Sequence, residues 1–88
     1  MRHILSFETD HGDPESGVWQ YQVMELDSLG KVQLWYKPSP ESFFPQVWEI
    51  GHSKEIPADL SAESVADIMR DFITGVIDSD EYNALLPR

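Results

Sequence analysis

The sequence predicts an α+β fold, an antiparallel meander of three or four strands covered on one face by a C-terminal amphipathic helix. Three stretches carry that prediction. In residues 61–77 (SAESVADIMRDFITGVI) the apolar Val65, Ile68, Met69, Phe72, Ile73 and Val76 recur at i, i+3, i+4, i+7, i+8 and i+11, the spacing of one buried helical stripe. Residues 17–26 (GVWQYQVMEL) and 31–37 (KVQLWYK) alternate apolar and polar instead, the period of half-buried strands. Between them, Asp27-Ser28-Leu29-Gly30 supplies a turn with glycine where a positive φ is often required, completing a hairpin signature.

Taken in order, residues 3–9 (HILSFET) alternate Leu5 and Phe7 with Ser6 and Glu8 and read as a first strand. Residues 10–17 (DHGDPESG) break it, since two glycines, a proline and three acids leave nothing to pack. In the hairpin, Trp19, Tyr21 and Val23 share one face with Val32, Leu34 and Tyr36, leaving Val18, Gln20, Gln22 and Met24 on the other. Pro38-Ser39-Pro40 ends the second hairpin strand, because proline cannot donate to a ladder. Residues 41–45 (ESFFP) read as a loop, 46–50 (QVWEI) as a short strand, and 51–59 as an irregular link. Ser61 is placed to cap the helix, with Leu60 and Val65 at the two positions of a hydrophobic staple. Asp78 and Glu81 stand in capping-box relation, so residues 82–86 read as a last short helical turn. The inner sheet residues are expected to meet Ile68, Met69, Phe72 and Ile73.

The layout over residues 19–77 (W-x-Y-x-V, a glycine turn, an aromatic strand, W-E, an acidic amphipathic helix) is similar to small uncharacterised bacterial proteins. The resemblance implies the α+β arrangement and brings no activity and no site residue with it.

With 88 residues there is room for one domain and one modest core. There is no cysteine, which excludes disulfides and thiolate metal sites and fits a reducing compartment. The first residues lack the apolar run of a signal peptide, and no window approaches the length of a membrane span, so a cytoplasmic protein is expected. Sixteen acids against six bases leave a formal net charge of −10. Such a chain repels phosphate backbones and anionic lipid, which argues against direct nucleic-acid or membrane binding and is compatible with a basic protein partner, with cation binding or with simple solubility.

Four clusters are candidates for function. Asp10, His11 and Asp13, with Glu8 or Glu15 adding an oxygen, offer divalent-metal ligands on one loop, but a metal site needs three or four ligands held by further hydrogen bonds. The serines and paired acids fit no nucleophile elbow, and the glycines form no phosphate loop, so the chain is expected not to be an enzyme and to need no cofactor. Glu63, Asp67 and Asp71 follow one another at i, i+4 on the helix's outer face, and Asp78 would extend the row if the helix continued. Like charges at that spacing repel. Residues 59–81 hold seven acids and only Arg70 to offset them, which reads either as a negative strip facing a basic surface or as a solvated face whose early acids the helix dipole favours. Finally, Trp35, Phe43, Phe44 and Trp48 form an aromatic surplus off the predicted core. Either the loop folds back over the second sheet face, or that face binds a partner, a homodimer being the simplest outcome. The sequence thus favours a small acidic protein-interaction module that neutralises a basic or nucleic-acid-binding protein, of immunity-protein, antitoxin or nucleic-acid-mimic type. A metal- or small-ligand-binding protein using the Asp10-His11-Asp13 loop is the alternative.

Overall fold

The computed structural model describes residues 1–10 and 17–88. Four strands, β1 (Arg2–Asp10), β2 (Val18–Leu26), β3 (Lys31–Lys37) and β4 (Glu49–Glu55), form one sheet in the order β1-β2-β3-β4. Every neighbouring pair is antiparallel, so the meander reads directly from sequence order. Two helices follow, α1 (Ala62–Ile73) and α2 (Ser79–Leu85). The predicted α+β arrangement is the one observed. No helix among the described residues is long and apolar enough to cross a membrane.

The β2–β3 register sets Tyr21 opposite Tyr36 and Val23 opposite Leu34, which puts the alternating apolar residues on one face. There Tyr21, Val23, Val32 and Leu34 are buried in one cluster with Ala62, Val65, Ala66 and Met69 of α1. Ile68, Phe72 and Ile73 pack around them half-buried, as do Trp19 and Tyr36 at one end of the sheet. Ala62 and Ala66 complete the buried helix face, where small side chains let the helix backbone approach the sheet. Phe7 of β1 stacks on Tyr21 with ring centroids 4.9 Å apart.

Helix α1 begins as its sequence dictates and ends sooner. The Ser61 hydroxyl oxygen accepts from the Ser64 amide at 3.1 Å, satisfying one of the donors the first turn leaves open. At the other end Gly75 takes φ +83°, its amide donates to the Phe72 carbonyl at 3.2 Å, and the Val76 amide donates to the Asp71 carbonyl at 2.8 Å. This is the paired closure of a Schellman motif, which glycine permits without the cost a side chain would meet at positive φ. The helix therefore stops at Ile73 rather than 77, and Val76, predicted to close the buried stripe, is 71% exposed.

The second correction concerns β4, predicted over 46–50 with an irregular link after it. The strand instead runs Glu49–Glu55, through Gly51-His52-Ser53-Lys54-Glu55. That segment has little intrinsic strand preference, and the free edge of β3 supplies the ladder that holds it. The Asp78 carboxylate accepts from the Glu81 amide at 2.8 Å and opens α2. From α2, Tyr82 and Leu86 enter the core. Tyr82 stacks on Phe72 at 4.2 Å, His52 meets both rings edge-on at 5.4 and 5.7 Å, and the Lys54 ammonium sits 5.3 Å from the Tyr82 centroid. The Glu55 amide donates to the Arg88 carbonyl at 3.3 Å, so the chain's end covers part of the β4 edge.

Two substitutions test the stripe and its end. Met69→Ala should cost about 2–5 kcal/mol, as truncation of a buried large side chain does. Val76→Ala should stay within about 0.5 kcal/mol. Urea midpoints at unchanged slope measure both, and equal losses would contradict the observed helix end.

Candidate functional site

Past the C-terminal end of α1, the inner face of the sheet is not roofed by helix. Its floor there is Leu34 with Gly51, and its walls are Trp19, Tyr36, Phe44, Pro45, Glu49 and His52, enclosing a half-open cleft of about 450 Å³ with Ile73 at its inner end. Clefts of this size, apolar with a few convergent polar groups, are the usual form of a binding site.

Each wall has a local cause. Trp19 and Tyr36 lie on the same face of adjacent strands, diagonal to one another, and their rings stack with centroids 5.8 Å apart. Phe44 comes from the loop between β3 and β4, which folds back to set its ring edge-on to Trp19 at 6.0 Å. Buried Ser39 and exposed Gln46 hold that loop. The Ser39 carbonyl accepts from the Ser42 amide at 3.0 Å and from the Gln46 side-chain amide at 2.8 Å, while the Ser39 hydroxyl accepts from the Glu41 amide at 3.2 Å.

Glu49 and His52 reach the cleft through a β-bulge. They are three residues apart and would face opposite sides of a regular strand. Here Trp35 pairs with Ile50 and Leu34 with His52, so Gly51 is an extra residue and the two side chains share the inner face. A side-chain carbon at Gly51 would come within 3.2 Å of the Tyr36 ring, a close approach that only glycine accommodates without displacing the ring.

The polar groups are few and defined. The Tyr36 hydroxyl donates to Glu49 Oε2 at 2.8 Å. This bond, with some burial, raises the Tyr36 phenol above its ordinary value. Burial and then the Lys54 ammonium push the His52 imidazole below its ordinary 6.5. Burial pushes Tyr21, which floors the same cleft, up to about 12. The site thus presents three aromatic walls, one carboxylate and an imidazole biased to the neutral form.

The predicted acidic face is dispersed and partly answered. The Arg2 guanidinium bridges Glu25 at 2.5 Å and Glu63 at 2.8 Å. The Glu63 carboxyl is held below its ordinary value first by its own backbone amide and then by Arg2. Arg70 lies 3.4 Å from Asp67 and 3.5 Å from Asp71. These are exposed pairs, each contributing little to stability. Asp78 does not extend the row, because α1 has ended and its carboxylate caps α2.

The four predicted aromatic residues are not brought together. Trp35 lies on the outer sheet face between Gln22 and exposed Ile50, with its indole nitrogen shielded and without a hydrogen-bond partner among the described residues. Trp48 lines a shallow hollow with Ser6, Glu8, Gln20 and Gln22 on that same face. Phe44 belongs to the inner cleft, and Phe43 stands fully in solvent. The loop thus divides its aromatic residues between the two faces.

Of the predicted metal loop, Asp10 closes β1, while His11, Asp13 and Glu15 lie outside the described residues. His3 and His52 are on opposite edge strands of the sheet. Among the described residues no three His, Asp or Glu side chains converge as a metal site.

The family model described as Mycobacterium phage L5 gene 74 protein matches residues 3–88, and the chain belongs to that family. No curated protein and no solved structure matches it. The likeness read from the layout holds for a small α+β protein, and the matched family is named for a phage gene rather than a bacterial one.

The depressed His52 value has a definite sign. Below about pH 6.5 the unfolded chain binds more protons than the folded one. The contribution of His52 is therefore present above that pH and is lost as pH falls through the lowered folded value. Unfolding free energy should fall as pH is lowered below the ordinary imidazole value, and His52→Gln should flatten that slope. An imidazole titration midpoint at or above the ordinary value, read by NMR, would contradict it.

Proposed function

We propose that this member of the Mycobacterium phage L5 gene 74 protein family is a non-enzymatic protein-interaction module that engages a basic protein partner. The observation that carries the reading is the unroofed aromatic end of the inner sheet face, where Trp19, Tyr36 and Phe44 stand half-open around Glu49. Aromatic side chains in a recess are the usual anchors of a protein interface, since burying them releases the most apolar surface per residue. A formal charge of −10 makes the complementary surface a basic one.

The two features divide the work. The acids on α1, Glu63, Asp67 and Asp71, steer encounter over a Debye length, and the cleft supplies short-range anchoring. Arg2 and Arg70 offset those acids without cancelling the charge of the chain. Within this class, the charge supports a neutraliser of a nucleic-acid-binding protein, occupying a surface that otherwise grips phosphate. The family is described by a gene of a mycobacterial phage, so a mycobacterial lysate is the one chosen to search for that partner.

Affinity capture from a mycobacterial lysate, run beside an Asp67→Lys/Asp71→Lys variant, tests the reading. A basic protein held by the native chain, released by about 0.5 M salt and missed by the variant is the expected outcome. Capture of nothing above a bead control, or of a protein indifferent to salt and to the charge reversal, would overturn it.

A further inference from the structure

Resting on the protein-binding reading above, we infer that the cleft is a receptor for an arginine side chain presented by a basic polypeptide segment. Three features of the cleft select that chemistry. The first is the arrangement of rings. Phe44 stands at 64° to Trp19, and Trp19 lies at 24° to Tyr36, so the walls form a corner rather than a flat patch. A cation within about 6 Å of a ring centroid is attracted to the face of the ring. Trp and Tyr are the strongest faces for that interaction.

The second is Glu49. One of its oxygens accepts the Tyr36 hydroxyl at 2.8 Å, and the other has no hydrogen bond among the described residues. The carboxylate is thereby tethered at the rim of the aromatic corner with an acceptor still open. An apolar anchor such as leucine or phenylalanine would desolvate that carboxylate without pairing it. A cationic side chain pairs it, and an anionic one is repelled both by Glu49 and by the net charge of −10.

The third is the shape of the space. At about 450 Å³ and open on one side, the cleft admits a long side chain from outside without enclosing a free ligand on all sides. A guanidinium is planar, stacks flat on an aromatic face and donates in its own plane to a carboxylate, and it is more weakly hydrated than an ammonium. Stacking on Trp19 or Tyr36 while donating to Glu49 uses both properties, and a lysine ammonium has neither. The net charge of −10 favours a segment with further basic residues over an isolated arginine.

The test uses octa-arginine and octa-lysine peptides as probes, with Kd measured at about 150 mM salt and contacts mapped by backbone and indole NMR shifts. The native chain should prefer octa-arginine by about fivefold or more, with shifts at Trp19, Phe44 and Glu49. Glu49→Gln keeps an acceptor for Tyr36, and Phe44→Ala removes a ring that is 61% exposed, so both variants should fold, as dispersed spectra would show. Each should lower octa-arginine affinity about tenfold and narrow the arginine preference. Asp67→Asn/Asp71→Asn should weaken both peptides alike. Equal affinity for the two peptides, with shifts on α1 and no effect of Glu49→Gln or Phe44→Ala, would overturn the arginine receptor and leave the basic-partner reading standing. Failure of either peptide to bind even at about 50 mM salt would overturn both.

Discussion

The packing of Val65, Ala66 and Met69 on Val23, Val32 and Leu34 is the interaction on which the rest of this structure depends. It fixes α1 over the sheet and so decides which part of the inner face is roofed. Helix α1 has 12 residues, about 18 Å of length. The strands β1 and β2 have nine residues each, about 30 Å. A helix of that length cannot cover strands of that length from end to end. The uncovered end carries Trp19 and Tyr36, and the cleft is the geometric consequence.

The remaining inner surface is closed by means other than a second long helix. On the β4 side, the rings of Phe72, Tyr82 and His52 form one stacked and edge-on group, with Lys54 against Tyr82. A polar strand thereby becomes part of a packed face, because an imidazole and a lysine stem both offer surface to aromatic rings. The short α2 is what brings Tyr82 there, and its position follows from the turn that Gly75 makes at the end of α1. Glycine at that point shortens the roof and, by doing so, delivers the second helix.

The charge of the chain behaves differently from its apolar surface. Arg2 ties β1 to Glu25 and to Glu63 on α1, and Arg70 answers Asp67 and Asp71. Two of the chain's six basic residues are thus placed where the sequence suggests unrelieved repulsion. The acidic character persists as a long-range field, which suits steering better than anchoring. Anchoring requires a shaped, partly desolvated recess, and the recess lies elsewhere, between the loop and the bulged β4.

The sequence by itself determined the elements whose physics is local. The periodicity of α1 as far as Ile73, its Ser61 cap, the alternation and turn of the β2–β3 hairpin and the Asp78 cap all follow from residues within a few positions of one another, and each stands in the structure. What it did not determine depends on partners distant in the chain. The strand 49–55 exists because β3 presents a free edge, and Glu49 shares a face with His52 because Gly51 is an extra residue in that pairing. Neither pairing register nor bulge leaves a mark in hydrophobic periodicity, so Glu49 and His52 carried no sequence signal as a pair. Phe44 likewise reached Trp19 only through the hydrogen bonds of Ser39 and Gln46, and its neighbour Phe43 in the same loop went to solvent. Local spacing decided α1, the hairpin and the caps; β4 and the cleft were decided by which segments were left to meet once the helix had stopped.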